Sequence, residues 1–208
     1  TGQCHSMPLL FLILAEELET EAFWCFSPSH SFIKFQDKQN RWYNIELTQG
    51  AVVTDDFYMN SGFIKSKAIQ TGIYLNPRTM KQTIAHMLND LSAYYISRYG
   101  YDHFIEENSN LVLRYSPSDL TAYQHYANIC TVQAQYVIDA CGRPPKEQLP
   151  EYPQAHRLFK KMLQSHEKID SLGYEEMPAE IYHNWLKQVD KAKTLPENQP
   201  SPIIQIKK

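Results

Sequence analysis

No cluster of lysine or arginine runs along this 208-residue chain. Its 20 basic residues are spread against 23 acidic ones, for a net charge of −3. The electrostatic footprint of a nucleic-acid binder is therefore missing. Long hydrophobic runs are missing too: the longest, Met7 to Ala15, falls far short of the ~20 residues that a membrane-spanning helix needs. The four cysteines, Cys4, Cys25, Cys130 and Cys141, form no Cys-x-x-Cys pair and no Cys/His pattern with zinc spacing. A disulfide framework does not suit this length and spacing. His86, His103, His125, His156, His166 and His183 are scattered, with no metal-ligand spacing beside carboxylates, so neither a metal nor an organic cofactor is expected. The chain opens on Thr1 rather than Met, and upstream sequence is expected. The absence of a signal peptide is then uninformative.

What the chain does have is material for a core. Its apolar content is 43%, with 14 Tyr, 9 Phe and 3 Trp, which argues against disorder. Residues 4–19 read as a buried helix that emerges at Glu16, Glu17 and Glu19. Glu21 to Phe26 reads as a buried strand. Ser31 to Gln36 and Arg41 to Thr48 read as two strands around Asp37-Lys38-Gln39-Asn40. A short helix is placed from Asp55, where Asp55-Asp56 reads as a helix cap rather than a cation site. Ala68 to Leu75 reads as one more strand. Beyond Asn76-Pro77 the pattern turns helical. Met80, Ile84, Met87, Leu88, Leu91, Tyr94 and Tyr95 make a stripe on a helix over 79–99. Further helices are predicted over 101–115, over 119–140 with Ser118 as N-cap, over 153–171 and over 178–193. The tyrosines at 94, 95, 99, 101, 115, 123 and 126 read as inter-helix packing. This divides the chain into residues 1–76, residues 77–194 and a proline-bearing extended tail over 195–208.

Three residues of the first part carry chemistry. Cys4 stands just before an apolar helix, because Pro8 is tolerated only in the first helical turn. A helix N-terminus lowers a thiol pKa through its unpaired N–H groups and dipole. His30 and Glu46 follow on neighbouring strands. Strand parity places His30, Phe32, Lys34 and Gln36 on one face, and Trp42, Asn44, Glu46 and Thr48 on one face. Pairing the apolar faces brings His30 and Glu46 together, provided that the loop between the strands is odd or bulged. A two-residue Lys38-Gln39 turn would separate them. Glu46 would then orient His30, and the other ring nitrogen would face the Cys4 sulfur. His5 is a weaker alternative base, since helix neighbours point apart.

Gly2-Gln3-Cys4 before an apolar helix, Ser29-His30-Ser31-Phe32 opening a strand and Trp42-Tyr43-Asn44-Ile45-Glu46 on the next resemble the transglutaminase-like superfamily of papain-type folds. The resemblance implies a nucleophile at Cys4, a base at His30 and an orienting acid at Glu46, where that superfamily more often has Asp. It also implies an α+β core of one helix and an antiparallel sheet, truncated at its N-terminus. Ser29 and Trp42, inside the matching pieces, are the candidate substrate-binding residues. The upstream segment that often helps to stabilise the oxyanion does not precede Cys4 here; the Cys4 N–H could supply one donor. Residues 86–117 resemble one tetratricopeptide repeat, with Tyr99-Gly100-Tyr101-Asp102 at its turn and Ser116-Pro117-Ser118-Asp119 closing it. Asn89, Ser92, Ala93 and Ile105 depart from that pattern. As a whole the chain is similar to poorly characterised bacterial proteins that join the two parts.

Two functions follow as expectations. One is a thiol amide hydrolase or acyl transferase acting on a peptide or protein amide. The other is a scaffold with an idle triad, whose helical region holds a protein partner. The compartment stays open between bacterial cytoplasm and periplasm.

Overall fold

A computed structural model describes residues 3–60 and 63–193. The chain is mixed α+β and divides into two compact units, one made of residues up to Met80 together with Glu175 onward, the other of Lys81–Tyr174. The last helix thus belongs with the first unit, although its sequence groups it with the helical region. The expected tail over 195–208 lies outside the described residues.

The first unit opens with α1 (Ser6–Glu17), which buries Pro8, Leu12 and Ala15. The sequence reading of a helix buried up to Glu16 is corrected here. Leu10, Ile13 and Leu14 are more than half exposed, because α1 lies on the sheet by one face only. Four strands follow as an antiparallel meander in chain order: β1 (Phe23–Ser27), β2 (His30–Gln36), β3 (Trp42–Glu46) and β4 (Ala51–Val53). The first hairpin pairs Ser27 with His30. Its two-residue turn is Pro28-Ser29, with Ser29 in the left-handed region at φ 55°.

The second hairpin decides the site. Gln36 pairs with Trp42 and Ile33 with Ile45. Asp37 N–H then reaches Arg41 O at 2.9 Å, leaving the three-residue loop Lys38-Gln39-Asn40. Asn40 takes the left-handed conformation (φ 62°) that closes such a loop, and Asp37 Oδ1 accepts from Gln39 N at 2.8 Å and Arg41 N at 2.9 Å. The loop is odd, as parity requires. Carrying the register one pair further sets Glu46 opposite Phe32 and diagonal to His30.

Both sheet faces are covered. On one, Trp24 and Ile33 pack against Leu12, with Leu9, Phe11, Phe26 and Ile45 around them. On the other, Phe32 stacks on Tyr58 at 3.9 Å. Tyr58 comes from α2 (Asp55–Met59), which is fastened to the sheet through Asp55. The Lys34 ammonium, itself buried, meets Asp55 at 2.9 Å, and Asn44 Nδ2 donates to Asp55 at 2.8 Å. Asp55 therefore sits in the first turn of α2 and also neutralises a buried lysine.

The strand expected over 68–75 is not formed. Residues Ser66–Gln70 make the short helix α3, and Gly72 and Leu75 both take positive φ, which breaks any extended run. The apolar triplet Ile73-Tyr74-Leu75 is buried all the same. Leu75 N–H donates to Phe26 O at 2.9 Å and Arg78 N–H to Trp24 O at 3.1 Å, so this segment covers the free edge of β1.

The second unit is all helix: α4 (Met80–Tyr99), α5 (His103–Tyr115), α6 (Leu120–Ala140) and α7 (Pro153–Ser171), with a 3-10 turn over Lys146–Glu151 that the sequence did not signal. The α4–α5 turn uses Gly100 at φ 79°, and Asp102 caps α5 by accepting from Phe104 N–H. The cap of α6 is Asp119, not Ser118, and it accepts from Ala122 N–H. α5 packs on α6, and α6 on α7. Along α4 the stripe Met80, Ile84, Met87, Leu91 and Tyr94 is exposed.

The chain then returns to the first unit with α8 (Ala179–Lys193).

Candidate active site

Cys4 lies in the turn that leads into α1, two residues before its first helical residue. That turn is tied down locally and across to the sheet. Met7 N–H donates to Gln3 O at 3.0 Å, and Ser31 Oγ donates to Cys4 O at 2.6 Å. The half-buried thiol therefore stands at the start of β2, where His30 begins the strand.

His30 and Glu46 are both buried, and Glu46 is fully so. His30 Nε2 meets Glu46 Oε2 at 2.6 Å. Three more donors hold the carboxylate. Tyr58 OH donates to Oε2 at 3.1 Å, and Thr48 donates to Oε1 from its N–H at 3.1 Å and its hydroxyl at 2.5 Å. Burial would raise the Glu46 pKa, but the bonds from His30 first and then Thr48, with the His30 charge, hold it below its ordinary 4.5. Burial and the Glu46 charge push the Tyr58 phenol well above 10.0, which keeps it a donor.

With Nε2 committed to Glu46, the second ring nitrogen, Nδ1, is left buried without a hydrogen bond of full geometry. The remaining group acting on the ring is the Cys4 thiol. Burial alone would lower the His30 pKa, yet its bonds to Cys4 and Glu46 and their charges outweigh that and bring it from 6.5 to about 9. The converse holds at sulfur. The bond to His30 draws the Cys4 thiol below its ordinary 9.0, against partial burial, with help from the His30 charge and the Ser31 backbone. Each partner stabilises the charged form of the other, the condition for a thiolate–imidazolium pair.

The contrast with Cys25 is direct. Cys25 lies on β1 with no such partner, and burial pushes its thiol up to about 12.

Of the other sequence candidates, Ser29 is exposed in the turn just before His30. Trp42 is not brought to the group. It stands at the far end of β3, about 13 Å of strand from Glu46, and packs on Phe23 at 5.6 Å. The His5 ring sits on Trp24 at 4.8 Å, which accounts for it as packing. Among the described residues no group of three His, Cys, Asp or Glu side chains is placed to hold a metal ion, and no helix is long and apolar enough to cross a membrane.

Sequence reasoning missed four neighbours. Thr48 follows Glu46 by one strand period and was within reach of parity. Tyr58 lies in a segment with no clear period. Trp185 and Tyr182 are on α8, more than 150 residues from His30 in sequence. Trp185 is buried, with its ring edge-on to His30 at 5.3 Å and 5.9 Å from Phe57. Tyr182 lies 6.1 Å from Trp185, and its phenol is raised by burial and then by the charges of Cys4 and Glu46.

Comparison of the chain with protein-family models, curated proteins and solved structures returned no match.

Proposed function

We propose that the first unit is a thiol-dependent amide hydrolase or acyl transferase of transglutaminase-like, papain-type character, with Cys4 as nucleophile, His30 as base and acid, and Glu46 as its orienting carboxylate. The observation that carries the reading is the His30–Glu46 pair, buried and 2.6 Å apart, with the other imidazole nitrogen left to Cys4.

The chemistry follows from the charges. The Cys4 thiolate attacks the carbonyl carbon of an amide, and the carbonyl electron pair moves to oxygen. Backbone N–H groups at the start of α1, which begins two residues after Cys4, would supply the dipoles for that oxyanion. The intermediate collapses to a thioester as His30 delivers its proton to the leaving amine. His30, now neutral, removes a proton from the incoming water or amine. That nucleophile attacks the thioester, and the departing sulfur returns to the thiolate. Water completes a hydrolysis, and an amine completes a transfer. Glu46 keeps Nε2 protonated and Nδ1 directed to sulfur throughout.

The helical unit suits the holding of a peptide or protein substrate. We read its α4–α5 hairpin as one tetratricopeptide-like element, supported by the positive φ of Gly100 and the Asp102 cap.

A second reading is favoured by the aromatic cover that Trp185 places over His30: an idle triad in a scaffold that binds a partner through the helical unit. Alkylation by iodoacetamide, followed by mass spectrometry with half-exposed Cys141 as reference, separates the two. Cys4 labelling that sets in below pH 9 and loses that advantage in His30→Ala supports the thiol enzyme. Cys4 labelling no faster than Cys141 and indifferent to the substitution sinks it.

A further inference from the structure

We propose that Trp185 of α8 is a positioning residue for the Cys4–His30 pair, so that a helix from the far end of the chain completes the site. The proposal rests on the thiol reading above.

The His30 ring has two in-plane nitrogens, one taken by Glu46 and the other turned to Cys4. Its ring orientation is set by aromatic neighbours: Trp185 edge-on at 5.3 Å and Tyr58 tilted at 6.1 Å. Trp185 is itself fixed, 8% exposed and braced between Phe57 and Tyr182. An indole in this place does two things. It limits rotation of the imidazole away from Glu46 and the sulfur, and it adds to the burial that by itself works against the charged pair. The titratable groups acting on His30 are Glu46 from β3, Cys4 before α1 and Tyr58 from α2, with Tyr182 beside Trp185 on α8. Glu46 and Cys4 supply the negative charge that acts on His30, the first fully buried and the second half-buried.

The competing role is a plain cover. A helix that merely blocks the sulfur slows every reagent without changing the charge state beneath it, and its loss speeds labelling at all pH values. A positioning residue moves the pH midpoint.

The experiment is the pH profile of Cys4 alkylation in the full chain, for the wild type, Trp185→Ala and Trp185→Phe. We expect Trp185→Ala to move the midpoint up toward 9.0, with about a tenfold loss of labelling rate at lower pH for each pH unit moved. Trp185→Phe, which keeps an aromatic wall, should retain the wild-type midpoint. An unchanged midpoint in Trp185→Ala overturns the proposal, whether the rate stays the same or rises. Should Trp185→Ala fail to fold, Trp185→Leu gives the same test, with a displaced midpoint in support and an unmoved one against. A wild-type midpoint near 9.0 would remove the thiol reading itself, and this proposal with it, before any variant is compared.

Discussion

Each unit of this protein buries a histidine against a carboxylate, and the two pairs differ in what stands at the third corner. In the first unit His30 Nε2 meets Glu46 at 2.6 Å, and the ring's other nitrogen is left to a thiol. In the second, His86 Nδ1 meets Asp119 at 2.7 Å, and Asp119 also accepts from Asn89 Nδ2 at 3.0 Å and from Ala122 N–H at 3.1 Å. The bonds seen in that second cluster, among the described residues, come from an imidazole, an amide and a backbone N–H. Asp119 is the cap of α6, and its bond to His86 ties the start of α6 to α4. A buried His–carboxylate pair is therefore not by itself a sign of catalysis. One pair stands beside a thiol, and the other stands at a helix terminus and fastens two elements together.

The strongest way to break this comparison is to cut both pairs and read both outcomes. Removing His30 should cost two orders of magnitude or more in thiol reactivity near neutral pH, roughly the 10²–10⁴-fold associated with a positioned acid–base group. Removing His86 should leave Cys4 reactivity alone and destabilise the helical unit by about 3 kcal/mol, since a buried carboxylate loses its partner. Alkylation rates and chemical denaturation of the two alanine variants form a crossed design. If His86→Ala slowed Cys4 labelling as much as His30→Ala, or left stability untouched, the division of roles would fail.

Acidity sharpens the same contrast. The folded value of His30, about 9, lies above its ordinary 6.5. The stability it contributes is therefore fully present below 6.5 and lost as pH rises through about 9. Glu46 shifts the other way. Its contribution is present above 4.5 and lost as pH falls through its lowered folded value. The first unit should thus lose stability at both ends of the pH range. His30→Ala should remove the alkaline loss, which thermal unfolding between pH 6 and 10 would show. An alkaline limb that survives in the variant would assign it to another group.

How much of this was open to reading depends on how local each cause is. The order of Cys4, His30 and Glu46, the face that the last two share and the need for an odd loop all follow from strand parity within one hairpin. That range is short enough for sequence to decide. The helices over 153–171 and 178–193 were legible from the 3.6-residue period alone. The segment Ala68 to Leu75 was not, because its apolar residues suit a strand while Gly72 and Leu75 bend the backbone away from one. The orientation of α1 was hidden for a related reason: a helix apolar all round does not show which side meets the sheet. Trp42 was named because it lies in the piece that resembles the superfamily, and the strand sets it four residues from Glu46. Trp185 had no local signal of any kind, since it lies on α8, more than 150 residues from His30 in sequence.

The mildest test concerns the Tyr58 hydroxyl, one of four donors on the Glu46 carboxylate. Tyr58→Phe keeps the ring stacked on Phe32 at 3.9 Å and deletes a single bond, so the sheet should survive with about 1 kcal/mol of lost stability. The carboxylate keeps His30 and Thr48, and its pKa should rise only part of the way toward 4.5. Thiol reactivity should then fall a few-fold rather than a hundredfold, because Nε2 still has its acceptor. A loss as large as that of His30→Ala would mean that Tyr58 holds Glu46 in place rather than merely completing its shell. No change in either stability or rate would mean that Thr48 and His30 already satisfy the carboxylate, and that the Tyr58 ring is there for the Phe32 face alone.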